Sequence, residues 1–292
     1  MRAAIENQQY QKVQQLIEWR RYDEAIKEAQ EWIQQDVENP DGYAYLAQCY
    51  LRKKEYQKSL HWTEQALGKN PVHSLAWQVK VSVHYEQRNW TSFREAVDEG
   101  LRINPYEDFY YYLRGNLFNL KGEFEQAEKD FEKCLEISPE NAVYLANYGY
   151  VQSLLHHFDY SREIQEKTLQ LDPENPTVFK YLAWAAEKRG AYKEALNFMA
   201  NAIRIDPEDQ QTRKEYLKVL QKQYRIYQWI LFVPRQLNLL KKWQVFIVWG
   251  ICWAFLKILV IFFIALFVAS HWFTKLLVHV KVFGWRLPPK NR

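Results

Sequence analysis

Residues 132–139 read EKCLEISP, and the phrase returns as EKTLQLDP at 166–173 and as MANAIRIDP at 199–207. Each copy ends in a proline of a longer series, Pro71, Pro105, Pro139, Pro173 and Pro207, spaced by 34 residues. Apolar positions within the phrase sit at helical spacing, and the proline stops the helix because it lacks an N–H and clashes with the preceding turn. Upstream lies a second helical run, with turns at Lys121-Gly122-Glu123 and Lys188-Arg189-Gly190-Ala191. Glycine there can adopt the left-handed conformation that ends one helix and lets the next fold back. A 34-residue period is the length of one helix–turn–helix unit in a stacked solenoid. Such stacks build recognition surfaces and seldom carry chemistry. The period predicts an all-α fold whose function is binding.

The pattern resembles the tetratricopeptide repeat family, in six units over 6–39, 40–73, 74–107, 108–141, 142–175 and 176–209, roughly 70% of the chain. The family favours a large residue at position 4, small or apolar residues at 7 and 8, and an aromatic at 11. It then favours alanine at 20, an aromatic at 24, alanine at 27 and proline at 32. The second unit supplies Tyr43, Leu46, Ala47, Tyr50, Ala66 and Pro71, with Ser59 at position 20. The fourth supplies Tyr111, Gly115, Phe118, Ala127, Phe131, Cys134 and Pro139; the sixth supplies Phe179, Leu182, Ala183, Ala195, Met199, Ala202 and Pro207. The resemblance implies a right-handed superhelical solenoid. Three departures stand out. The first unit keeps Ala25 but has Val37 in place of its proline, as terminal repeats often do. Phe93 occupies the alanine position of the third unit and Arg114 an apolar position of the fourth, which predicts looser packing or a local bend of the superhelix there.

Charge divides the chain. Residues 1–209 hold 25 Lys and Arg against 34 Asp and Glu, a net of −9, and 210–292 hold 14 basic residues against Glu215 alone, a net of +13. An acidic solenoid excludes nucleic acid as partner, since phosphate neutralisation needs clustered cations. Gln210–Gln228 has Tyr216, Leu217, Leu220, Tyr224 and Tyr227 at helical spacing and reads as a helix capping the last repeat, followed by a basic linker over 229–242.

Trp243–Trp272 is overwhelmingly apolar, bounded by tryptophans suited to bilayer interfaces. Its 27 residues from Gln244 to Ser270 span about 40 Å as a helix, against a bilayer core of ~30 Å. Lys257 lies near the middle, where a lysine costs roughly 2.5–3.5 kcal/mol on insertion scales. Either one helix crosses the membrane, or Trp243–Leu256 and Ile258–Phe273 form a re-entrant hairpin in one leaflet. Basic residues crowd both flanks and suit anionic headgroups, and the tail 273–292 reads as interfacial. MRAAIENQQYQ carries no apolar h-region, so the repeats are expected in the cytoplasm.

Cys49, Cys134 and Cys252 form no CxxC pair, so neither a metal site nor a disulfide framework is expected. His156 and His157 are adjacent in a turn and would point about 100° apart on a helix. The acidic run Glu123–Glu136 reads as a solvated helix face. No phosphate-cradling glycine loop, HExxH or GxSxG occurs, so no enzyme and no cofactor is expected.

In the family, positions 2, 5, 6 and 9 of the first helix line the inner surface. The resemblance thus assigns Tyr45, Gln48, Gln78, Phe109, Tyr112, Asn116, Asn147, Tyr150, Tyr181 and Trp184 to a peptide-binding groove centred on repeats 4–6. Aromatics give contact area at small entropic cost, and amides can pair with an extended backbone. Asn116 and Asn147 match two amide positions of the family's carboxylate clamp, but Tyr112, Thr177 and Tyr181 stand where its cations belong, so a chaperone's terminal carboxylate is not the expected ligand. The sequence reads as a membrane-anchored adaptor for a protein or peptide partner. The alternatives are a subunit of a larger membrane complex that pairs Lys257 with an acid, and a membrane-tethered assembly or chaperone factor.

Overall fold

The computed structural model describes residues 2–224 and 242–284, with side chains placed principally over 9–224 and 261–282. The described residues form fourteen α-helices: α1 Arg2–Glu18, α2 Tyr22–Gln35, α3 Pro40–Arg52, α4 Tyr56–Lys69, α5 Ser74–Glu86, α6 Trp90–Ile103, α7 Asp108–Lys121, α8 Phe124–Ile137, α9 Ala142–Leu154, α10 Phe158–Leu171, α11 Pro176–Lys188, α12 Tyr192–Ile205, α13 Gln210–Lys222 and α14 Lys242–Phe283. They belong to two compact units, Met1–Tyr144 and Leu145–Arg292.

Each proline of the 34-residue series stands two residues beyond a helix end, after Lys69, Ile103, Ile137, Leu171 and Ile205. A second 34-residue series is visible only in the backbone. Arg20, Lys54, Arg88, Gly122, His156 and Gly190 all hold φ between 55° and 80°. Each ends the first helix of its pair. The residue after it donates its N–H five residues back, as in Arg21 to Leu16 (2.8 Å), Glu55 to Tyr50 (2.9 Å) and Ala191 to Ala186 (2.9 Å). This is the Schellman geometry, which satisfies carbonyls that a helix end leaves open. Only two of the six residues are glycine, so four repeats carry left-handed strain of about 1–2 kcal/mol each.

Small residues let facing helices approach. A Cβ at Gly115 would lie 3.0 Å from the Phe131 ring, and one at Gly100 2.7 Å from Tyr110. The looser packing expected at Phe93 and Arg114 is not found. Phe93 is fully buried and meets Tyr85 at 5.5 Å and Trp90 at 6.3 Å, its bulk offset by the smaller Val81 and Val97 beside it. Arg114 forks onto Asp130 at 2.8 and 2.7 Å and lies over the Tyr111 ring. Asp130, 5% exposed, therefore departs from the solvated face expected of 123–136. Cys49 and Cys134 are fully buried; burial pushes the Cys49 thiol up to about 12 and raises that of Cys134, helped by Asp108 and Asp130.

The capping helix is shorter than its sequence pattern, ending at Lys222, and buries Val219 and Leu220. Residues 225–228 and most of the basic linker lie outside the described residues. α14 is one helix of 42 residues, continuous through the position of Lys257, where a hairpin would need a turn. It runs on through 273–283, the first part of the tail. The side chains of Trp243 and Lys257 lie outside the described residues, while Trp272 is 69% exposed. Ile261–Val282 is long and apolar enough to cross a membrane.

Two substitutions test the packing and turn rules. Arg88→Gly, at an exposed left-handed position, should stabilise by about 0.5–1 kcal/mol, since relief of strain exceeds glycine's added chain entropy. Gly100→Ala should destabilise by about 1 kcal/mol, because overpacking against buried Tyr110 outweighs the gain in helix propensity. Urea unfolding midpoints should move in opposite directions for the two.

Candidate recognition surface

The residues assigned to the groove divide between the two units. In the first, Tyr45 stacks on Trp32 at 5.9 Å and meets Tyr10 edge-on at 5.5 Å, and burial raises its hydroxyl pKa. Gln48 is half-buried one helical turn on. Gln78 donates its amide to Glu107 at 3.0 Å, and Ser74 donates to the same carboxylate at 3.3 Å. Burial, reinforced by Asp108, raises the Glu107 pKa. Phe109 packs on Tyr110 at 6.2 Å, and Tyr112 lies 5.0 Å from Tyr144 and 6.2 Å from Phe131. Asn116 is half-buried one turn beyond Tyr112. Most of these rings thus have a ring neighbour within their own unit.

In the second unit Asn147 is fully buried, so its amide does not reach the surface. Tyr150, Tyr181 and Trp184 come together: Trp184 lies 5.7 Å from Tyr150 and 5.1 Å from Tyr181, and the two tyrosines are 6.3 Å apart. Helical spacing accounts for part of this, since Tyr181 and Trp184 are neighbours on one face of α11. The Trp184 indole N–H donates to Glu215 Oε2 on α13 at 2.6 Å, and the Gln211 amide donates to Oε1 at 3.0 Å.

Between these groups lies a pocket of about 250 Å³, walled by Tyr150, Trp184, Met199 and Val219 and edged by Glu187, Lys188, Glu215, Lys218 and Lys222. That volume is below the range of small-molecule sites and suits one or two side chains. Lys222 neutralises Glu187 at 2.5 Å. Lys188 and Lys218 are exposed at the edge. Burial, then the charges of Glu187 and Glu215, push the Tyr150 hydroxyl up to about 12, so it remains a neutral hydrogen-bond donor. The contribution of α13 was not read from the sequence. Its signal was there: Glu215 is the single acid after residue 209.

α13 is held in place by its first residues. The Asp209 carboxylate accepts from the backbone N–H of Gln211 at 2.9 Å and of Thr212 at 3.2 Å, from the Thr212 hydroxyl at 2.6 Å and from Lys180 at 3.2 Å. Burial works against its charge, but the Thr212 hydroxyl and N–H and then Lys180 outweigh it and hold the pKa down to about 2.

Residues 109–141 match the tetratricopeptide repeat family model. A TPR repeat-containing protein of Methanocaldococcus jannaschii is 25% identical over 115 residues, 39% of this chain, which spans only 18% of that protein. A chain of the APC/C hetero-tetramer Cut9–Hcn1 superposes with a TM-score of 0.58 at 14% identity, covering 73% of this chain and 46% of the other. A tetratricopeptide repeat protein from Parabacteroides merdae gives a TM-score of 0.57 at 15% identity, covering 70% and 79%. At these identities the structural likeness establishes the fold.

The cap of α13 makes a testable contribution to stability. Because the pKa of Asp209 is depressed, its contribution is whole above the ordinary aspartate value of ~3.9 and is lost as pH falls through about 2. Asp209→Ala should cost about 1 kcal/mol in urea unfolding at neutral pH. The gap between parent and variant should narrow as the pH is lowered through that window.

Proposed function

We propose that this chain, which belongs to the tetratricopeptide repeat family, is an adaptor that grips a protein or peptide segment in its C-terminal unit and holds it at a membrane. The observation that carries this is the double role of α13. It edges the aromatic pocket with Glu215, Lys218 and Val219, and it bonds the apolar helix α14 through Gln221. Recognition and attachment thus meet on one helix of 13 residues.

The pocket suits a segment that offers one aromatic or long apolar side chain. Trp184 and Tyr150 present faces for it. The exposed Lys188 and Lys218 favour an acidic neighbour in that segment. Catalysis has no place in this reading, since Glu187 and Glu215 are both engaged in structural bonds. α14 brings apolar area and the basic residues around it bring attraction to anionic headgroups. A cytoplasmic position for the repeats accords with buried, reduced thiols at Cys49 and Cys134.

Site-specific photo-crosslinking in native membranes tests this. A photoreactive residue at Lys218 should give a discrete protein adduct, while one at exposed Glu166 on α10 should not. Adduct formation independent of position, or none at Lys218, would remove the pocket as the recognition site.

A further inference from the structure

α13 and α14 are joined near the C-terminal end of α14. The Gln221 amide donates to Thr274 Oγ1 at 2.8 Å and to the His271 carbonyl at 3.2 Å. Ser270, Thr274 and Val278 recur every four residues on that side and are 8%, 0% and 5% exposed. Phe262, Leu266, Phe273 and Leu276 share another line of the helix, with roughly half or more of each exposed.

This joint limits how α14 can meet a bilayer. From His271 back to Lys242 the helix runs 29 residues, about 44 Å at ~1.5 Å per residue. Residues 223–241 connect the end of α13 to the start of α14, so they must cover whatever depth that stretch covers. An upright α14 would cross a ~30 Å hydrocarbon core and oblige those residues to cross it too. They carry Arg225, Arg235 and Lys241, and the single acid after residue 209, Glu215, is bonded to Trp184. Moving the crossing to Ile261–Val282 instead immerses the joint itself, and with it α13, which holds Arg213, Lys214, Lys218 and Lys222. Hydrocarbon disfavours both arrangements for the same reason, since the first takes Arg235 into it and the second takes in Arg213, Lys214 and Lys218, all three exposed.

A helix lying in the plane of one leaflet meets neither obstacle. Lys257 stands 18 residues before Lys275, which is five full turns, so the two positions fall on one line along α14. That line differs from the one occupied by Phe262, Leu266, Phe273 and Leu276, and Lys275 is exposed. Turned towards the headgroups, it lets long basic side chains reach water while the rest of the helix is immersed.

We propose that α14 binds one leaflet of an anionic membrane side-on, with the side of the helix that carries positions 257 and 275 towards the headgroups, while Gln221 clamps its 270–278 stretch to α13. This rests on the membrane reading above, and the two can fail separately. The full chain carrying Cys252→Ser would be added to vesicles of phosphatidylcholine and phosphatidylglycerol and recovered by flotation. Cys49 and Cys134 are buried and need no replacement. Lys242→Cys should react with a membrane-impermeant maleimide as fully before detergent as after it. In the double variant Gln221→Cys, Thr274→Cys a disulfide should form on the floated vesicles. Protection of Lys242→Cys until detergent is added would mean that α14 crosses, and would overturn the proposal. Labelling without the disulfide would overturn the clamp. Failure to float would instead remove the membrane reading itself.

Discussion

Six times among the described residues a helix is reversed through one residue held in the left-handed conformation, and every other regularity of the repeats depends on that reversal. A single helix pair is apolar on its facing sides and cannot bury them in water. The turn must therefore bring the second helix back at one angle each time, or the next pair finds no matching face. Arg20, Lys54, Arg88, Gly122, His156 and Gly190 do this with φ of 55–80° and the same five-residue backbone bond after them. The strain at the four non-glycine positions persists because burial on both sides of the turn over-determines it. Trp32 and Phe93, both essentially buried, show how much apolar area depends on the angle being right.

The period was legible because proline has one physical meaning at a helix end. It cannot continue the helix, and all five prolines stand two residues past the last helical one. The left-handed series was legible only where it is glycine, since Arg, Lys and His in such a turn leave no mark on the sequence. The departures at Phe93 and Arg114 misled for a different reason. A consensus describes one position at a time, whereas packing compensates among several: a ring fits where valines surround it, and a guanidinium fits where Asp130 faces it. The groove assignments came from position within the repeat, which places a residue on a helix face but not what covers that face. Tyr112 meets Tyr144, and Asn147 has no exposed area.

What the repeat pattern could not contain was α13, because it lies after the last unit. Apolar spacing over 210–228 marks it as a cap in the sequence, but not as a wall of the pocket. Thirteen residues hold four cations and one acid, and the acid is the one placed to receive the Trp184 indole N–H. A solenoid end exposes an apolar face that must be covered, and here Val219 and Leu220 cover it. A helix obliged to be there can take on further work at little cost, and α13 does so on two sides.

The same geometry gives Lys257 a physical place. In an upright helix it is an expensive charge at mid-depth, which invites a search for an acidic partner that residues 243–292 do not hold. Five turns separate it from Lys275, so in a helix lying flat the two positions define one side. A clamp at 270–278 is then what orients that side, because a helix apolar around most of its circumference has little preference of its own for one rotation over another. Gln221 fixes the rotation with two hydrogen bonds at 2.8 and 3.2 Å. The pocket edge on α13 is set in the same step, a few ångströms along the same short helix, so the proposed recognition face and the proposed lipid face share one element.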